Sequence, residues 1–229
     1  MKFLTTFIIS LLMAVSLEAA AIRGTVIYDG PVPETKQADM SMDPACAKMH
    51  DEPVMLEHLI VGESKELANS FIQIKSGLGE SDYPSPKKPV ILDQAGCQYS
   101  PRVFGVRVGQ EIRILNPDDT FHNVHARTKV NKGFNIAMPK FRKEMTKQFD
   151  QAEAIFPITC DVHPWMKSWC AVMTHPYFGV SEKNGTYVIN NVPPGTYEVE
   201  AWHEQLGRVT KTVTVDKSDV TLDFIFLKP

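Results

Sequence analysis

Short apolar runs that alternate with polar residues recur along this 229-residue chain, and most of them end at glycine, proline, asparagine or aspartate. Ile22–Tyr28 alternates and then meets the turn-forming Asp29–Pro31, while Thr196–Trp202 follows the turn signal Pro193–Gly195. A period of two residues is typical of half-buried β-strands, whereas an amphipathic helix needs apolar residues three and four apart. Because no long helical period competes, the sequence predicts an all-β fold.

The strand-like runs change in character at about residue 176, beyond which they are short and regularly spaced. The other predicted strands are 67–76, 90–92, 102–108, a run ending at Asn116, 143–149, 153–160, 186–189, 209–215 and 220–226. We therefore predict one domain over residues 22–175, which includes an N-terminal extension, and a C-terminal module over 176–229. About fifty residues are few for an independent sandwich, so the module should pack on the first domain. The strand Ile22–Tyr28 is a candidate to join it.

The segment Cys160–Met166 places a thiol, an imidazole and a thioether three residues apart, at Cys160, His163 and Met166. Because Cys160 ends a strand-like run, and ligands at this spacing cannot all point one way within a strand, the chain must curl there into a loop. Pro164 stiffens that loop.

A second imidazole comes from the upstream segment Phe121–His125, which also follows a strand-like run. Two imidazoles and a thiolate beneath a weakly bound thioether form the ligand set of a mononuclear copper electron-transfer site. The sequence thus predicts a copper site that joins two distant segments of one sandwich.

The Cys-x-x-His-Pro-aromatic-Met pattern, together with His-Asn-Val-His at 122–125, resembles the cupredoxins, or blue copper proteins. Within that family it is most similar to the short-loop amicyanin type, with plastocyanin as a further relative. Val106–Asn116 also resembles the strand pair that precedes the first ligand, and the resemblance covers roughly residues 85–175. It implies a Greek-key β-sandwich that binds one type 1 copper ion through His122, Cys160, His163 and Met166.

The same resemblance implies roles around the ligands. Asn123 should tie the two ligand segments together by hydrogen bonds, and Pro164 should support the loop. In the resembling proteins the edge of the loop histidine, here His163, emerges through an apolar patch where partners dock, and Trp165 lies beside it. The expected partner is a redox protein, such as a cytochrome or an oxidoreductase, bound transiently.

A copper ion held by four protein ligands leaves no open position for a substrate, so we expect an electron carrier and not an enzyme. The formal net charge of −3 gives no indication of nucleic-acid or membrane-surface binding.

The C-terminal module carries the pattern Asn-Gly-x-Tyr-x-Ile-x-x-Val-Pro-Pro-Gly-x-Tyr-x-Val over residues 184–199. This pattern is similar to the carboxypeptidase regulatory-like, or transthyretin-like, β-sandwich. The resemblance implies a structural or adhesive module without chemistry of its own.

The chain has four cysteines. If Cys160 binds copper, an odd number remains, and in an oxidising compartment this needs an explanation. The simplest is a disulfide between Cys46 and Cys97 with Cys170 as a buried thiol, although other pairings stay open.

A rival hypothesis comes from the segment Met40–Met55, where methionines, Cys46 and His50 are dense enough to bind Cu(I). It predicts a periplasmic copper carrier or chaperone. The alternative is that Asp43 and Pro44 begin a short helix, the methionines pack beneath it and Cys46 is a half-cystine. A third possibility is a structural β-sandwich binding protein.

Residues 1–21 read as a secretory signal peptide. Lys2 precedes the apolar run Phe3–Val15, and the small residues Ala19–Ala21 form a cleavage site. No later run is long enough to span a bilayer. We therefore expect a soluble periplasmic or secreted protein.

Overall fold

The computed structural model describes residues 20–228. The predicted signal peptide lies outside the described residues except for Ala20 and Ala21, which form the start of the first strand. Among residues 20–228, no helix is long and apolar enough to cross a membrane.

The described part of the chain is built from sixteen β-strands, a short helix α1 (Pro44–Ala47) and a 3₁₀ turn at Ala95–Cys97. The strands are β1 (Ala20–Asp29), β2 (Phe71–Ser76), β3 (Val90–Asp93), β4 (Val103–Arg107), β5 (Ile112–Leu115), β6 (His122–Ala126), β7 (Phe134–Met138), β8 (Glu144–Lys147), β9 (Glu153–Thr159), β10 (Lys167–Met173), β11 (Phe178–Val180), β12 (Thr186–Val192), β13 (Gly195–His203), β14 (Gly207–Val215), β15 (Val220–Thr221) and β16 (Phe224–Leu227). The predicted all-β class is confirmed.

Strands β3 to β10 form what we call the central sandwich. Its five-stranded sheet has the order β4-β10-β9-β6-β7, and its three-stranded sheet has the order β3-β5-β8. The alternation of β5 shows why these strands form, since Ile112 and Ile114 are buried and Arg113 is exposed. Both sheets contribute to one core, in which Ile114 joins Val124 and Ile158.

The remaining strands form the companion sandwich. One of its sheets has the order β12-β1-β15 with β16 also paired to β1, and the other has the order β11-β2-β13-β14. The strand Ile22–Tyr28, contained in β1, thus joins the C-terminal strands, as the small size of the C-terminal module suggested. Apolar and aromatic side chains fill the core, among them Ile22, Tyr187 and Phe224.

The sheet pairing differs from the predicted boundary in one further strand. The predicted domain 22–175 includes β2, but this strand pairs with β11 and β13 of the companion sandwich. The reason is that Phe71 and Ile72 are neighbours that point to opposite faces, and both are buried. Such a strand needs cover on both sides, yet its sequence does not say which neighbours supply it.

Two strands near the site, β6 and β7, are not among the predicted strands. Strand β6 buries the polar residues His122 and Asn123, so its pattern does not indicate a buried face. Strand β7 alternates, with Asn135 and Ala137 exposed between half-buried or buried apolar neighbours, and this short alternation was overlooked. The predicted run 220–226 is also divided into β15 and β16, both parallel to β1.

The two sandwiches meet at an apolar cluster of Phe71, Val103, Ala171, Met173 and Trp202. Beside it, the Arg102 guanidinium of the central sandwich donates to the Glu204 carboxylate of the companion and to the Lys167 carbonyl, 2.8 Å away. We call this contact the joint. It buries an ion pair, since the side chains of Arg102 and Glu204 are 7% and 5% exposed.

Candidate metal centre

Three of the four predicted ligands converge inside the central sandwich. Nδ1 of His122 lies 2.9 Å from Nδ1 of His163, which in turn lies 3.7 Å from Sγ of Cys160. The strand pairing explains this, because His122 begins β6 and Cys160 follows the last residue of β9, its antiparallel neighbour. His163 comes from the loop that β9 enters.

The three candidate ligand atoms all lie within 4.8 Å of one another. Atoms bound to one metal ion in a trigonal plane at 2.0–2.3 Å are roughly 3.5 Å apart. Two imidazole nitrogens and one thiolate are also the donor set that suits copper. The residues present therefore fit a copper ion, and they are buried, with exposed fractions of 0% for His122, 3% for Cys160 and 1% for His163.

Met166 belongs to the same buried cluster as Cys160 and is 1% exposed. Its amide donates to the His163 carbonyl at 2.9 Å, and its own carbonyl accepts from the Cys160 amide at 3.2 Å. These bonds close the loop Cys160–Met166 in the curled form that the ligand spacing predicts. Pro164 lies at the exposed turn of the loop.

Asn123 connects the two ligand segments. Its Oδ1 accepts from the Asp161 amide at 2.7 Å and lies 3.3 Å from Sγ of Cys160. Asp161 is also bound by His125, whose Nδ1 lies 3.0 Å from the carboxylate, and by Asn135 at 2.6 Å. The hydrogen bond from His125 holds the pKa of Asp161 below its usual value. The imidazole of His125 thus holds the loop through Asp161 and is not one of the clustered candidate ligands.

The far nitrogen of each predicted ligand histidine contacts an aspartate. Nε2 of His122 lies 2.9 Å from Asp118, and Nε2 of His163 lies 2.9 Å from Asp43. Neither contact is predicted from the sequence. Asp118 is four residues before His122, a spacing that signals proximity only once the turn is known, and the local sequence around Asp43 predicts only a helix cap.

The cap itself agrees with the local sequence. Asp43 precedes α1, and its Oδ1 accepts from the Ala45 amide at 2.9 Å. Pro44 occupies the first turn, where a missing amide proton costs nothing.

The structure joins Cys46 of this helix to Cys97 in a disulfide, the pairing favoured from the sequence. Sγ of Cys46 lies 3.6 Å from Nε2 of His163, so the bridge lies directly on the outer edge of that imidazole.

The resemblance implies that one edge of the His163 ring is exposed, and this prediction is wrong for this chain. Asp43 and the disulfide cover the edge, and His163 is only 1% exposed. The physical reason is that the covering helix precedes the range 85–175 on which the resemblance rests. Trp165 stays half-buried, with its ring 5.0 Å from that of His163 and its Nε1 donating to the Cys97 carbonyl at 2.9 Å.

The two free thiols have opposite properties. Burial alone would raise the pKa of Cys160, but hydrogen bonds with His122 and His163 outweigh it and lower this pKa to about 6. The hydrogen bonds from the two imidazoles thus favour the thiolate, which is the form that binds metals. Complete burial raises the pKa of Cys170 well above its usual value, so that thiol stays protonated within β10.

The Met40–Met55 segment does not assemble the Cu(I) site of the rival hypothesis. Cys46 is bonded to Cys97 in the disulfide, and Nε2 of His50 lies 2.8 Å from the Gly96 carbonyl. Met40 is buried in the central core, whereas Met42 is 88% exposed. Cys46 and His50 of this segment thus have structural partners.

No protein-family model matches the chain, and no curated protein matches it. Among solved structures, the chain is similar to a copper-containing nitrite reductase from Thermus scotoductus SA-01, with 16% identity and a TM-score of 0.35 over 43% of this chain and 25% of the reductase. A mutant of amicyanin with Cu(I) shares 21% identity with a TM-score of 0.33, over 44% of this chain and 98% of that protein.

A purple cupredoxin from Nitrosopumilus maritimus shares 23% identity with a TM-score of 0.30, over 37% of this chain and 98% of that protein. The chain thus spans a quarter of the reductase and nearly all of the two smaller proteins. TM-scores this low say nothing about function, so the function is inferred below from the geometry of the candidate ligands alone.

Proposed function

We propose that this protein is a type 1 copper protein that carries single electrons, and that its central sandwich is a cupredoxin. The observation that carries the proposal is the convergence of His122 Nδ1, His163 Nδ1 and Cys160 Sγ within 4.8 Å. Met166 lies in the same buried cluster and would be the weak fourth ligand.

Copper bound there supplies a one-electron couple between Cu(II) and Cu(I). The residues of the chain hold the ligands in place, since His122 comes from a paired strand and the loop Cys160–Met166 is closed by backbone hydrogen bonds. A preorganised ligand set changes little when the charge of the ion changes, which favours rapid transfer. None of the four ligands is more than 3% exposed, so a substrate cannot reach the ion. Transfer of electrons, without catalysis at the metal, suits this arrangement.

The proposed location is periplasmic or secreted. The signal-like pattern of residues 1–21 supports it, and so does the Cys46–Cys97 bridge, because disulfides persist in oxidising compartments. We propose a structural role for the companion sandwich, as a carboxypeptidase regulatory-like module.

The proposed partner is a redox protein that binds transiently. Because Asp43 and the disulfide cover the edge of His163, the partner would meet the site loop at Trp165, which lies beside that ring and is partly exposed.

A redox titration of the copper-loaded protein tests the function. We expect one electron per copper ion, taken up and released reversibly over repeated cycles. His163→Ala should abolish this couple. His175→Ala removes an imidazole that lies between β10 and β11 and stacks on Tyr177, and it should retain the couple. A wild-type protein without a reversible couple, or an unaltered couple in His163→Ala, would contradict the proposal.

A further inference from the structure

We infer that Asp43 is a positioning residue that sets the reduction potential of the copper site through His163, and that the Cys46–Cys97 disulfide holds it there. This inference rests on the proposed function. It concerns the N-terminal segment that covers the site, for which the ligand motif gives no indication.

The carboxylate of Asp43 is fixed by contacts from three parts of the chain. Its Oδ2 lies 2.9 Å from Nε2 of His163 and accepts from Oγ1 of Thr120 at 3.2 Å. Its Oδ1 accepts from the Ala45 amide at 2.9 Å. The side chain is only 23% exposed, so solvent does little to weaken its contact with the imidazole. Asp43 is therefore held in one position against the far side of a predicted ligand.

A carboxylate in this position affects the metal in two ways. A ligating histidine that donates its other N–H to a carboxylate is fixed in orientation and becomes a stronger electron donor. The negative charge also stabilises the more highly charged Cu(II) relative to Cu(I). Both effects lower the reduction potential. His122 has the equivalent contact with Asp118, so the two imidazoles are each supported by an aspartate.

The disulfide connects these two supports. Cys46 belongs to α1, which Asp43 caps, and Cys97 lies in the turn whose amides, those of Gly96 and Cys97, both donate to Asp118 at 2.8 Å. The bridge therefore fastens the segment that contacts His163 to the segment that holds the partner of His122. With Sγ of Cys46 3.6 Å from Nε2 of His163, it also keeps water from that edge.

The test compares reduction potentials of full-length, copper-loaded variants. Asp43→Asn removes the charge but keeps the size, and asparagine caps a helix as well as aspartate does, so α1 should persist. We expect the ratio of Cu(II) to Cu(I) affinity to fall about 10-fold, which corresponds to a rise in potential of about 59 mV. Asp43→Glu restores the charge and should recover most of this shift.

Asp39→Asn is the matched control. Asp39 is an exposed acid of the same segment whose carboxylate accepts from the Ser41 amide, so the same charge is removed away from the ligand. Because solvent and salt screen an exposed charge, the affinity ratio should change less than about 2-fold. The double variant Cys46→Ala with Cys97→Ala removes the disulfide and should raise the potential, as Asp43→Asn does.

The outcomes separate the inference from the proposed function. If Asp43→Asn keeps the thiolate-to-copper absorption band and the wild-type potential, the inference is wrong and the electron carrier stands. Equal shifts in Asp43→Asn and Asp39→Asn would overturn it as well, since contact with His163 would not matter. An unchanged potential in the double cysteine variant would overturn the role of the disulfide. A wild-type protein without such a band would overturn the proposed function, and the inference with it.

Discussion

The two sandwiches bury different kinds of side chain, although both are built from alternating strands. The companion core consists of apolar and aromatic residues, and its buried imidazole, His203, packs against Phe226. Burial lowers the pKa of His203 to about 4, so this ring is neutral at physiological pH. In the central sandwich the buried imidazoles of His122 and His163 face each other and contact carboxylates on their far sides. Burial of histidine alone thus gives an inert ring, whereas convergence with a thiol and with acidic partners gives a candidate metal site.

Substitutions in the companion core should change stability most and leave the metal site intact. Phe224 is fully buried, so Phe224→Ala should lower the free energy of unfolding by about 4 kcal/mol. Its neighbour on the same strand, Ile225, is 48% exposed, and Ile225→Ala should cost less than about 1 kcal/mol. Urea denaturation measures both, and the copper band of folded Phe224→Ala should match that of the wild type. Loss of the band in the folded variant would mean that the companion core shapes the site.

A smaller effect is expected at the joint. Burial would raise the pKa of Glu204, but the charge of Arg102 and its hydrogen bond to this carboxylate bring the pKa below its usual value. Glu204→Gln leaves the Arg102 charge buried without its partner, and should lower the free energy of unfolding by about 3 kcal/mol.

Glu144→Gln makes the same change in a surface ion pair, in which the side chains of Arg113 and Glu144 are 46% and 42% exposed. This variant should lower the free energy of unfolding by at most about 1 kcal/mol. Urea denaturation again provides the measurement. Equal costs for the two variants would show that the joint contributes no more than a surface ion pair.

Much of the candidate site could be predicted because its signals are local. The loop Cys160–Met166 carries its ligands at fixed spacing, and Asp43–Pro44 is a local helix start. What lies on the far side of the ligands could not be predicted, since Asp43 is 120 residues from His163 and meets it only through tertiary packing. The partners of β2 were missed for the same reason. A strand that is buried on both faces does not specify its neighbours.

The visible absorption spectrum of the mature protein with one equivalent of Cu(II) shows whether Cys160 binds copper. We expect an intense thiolate-to-copper band that Cys160→Ser abolishes. Cys170→Ser should keep the band, since that thiol is buried in β10 and stays protonated. A colourless wild-type protein, or a band that survives Cys160→Ser, would contradict the claim that His122, Cys160 and His163 hold a copper ion.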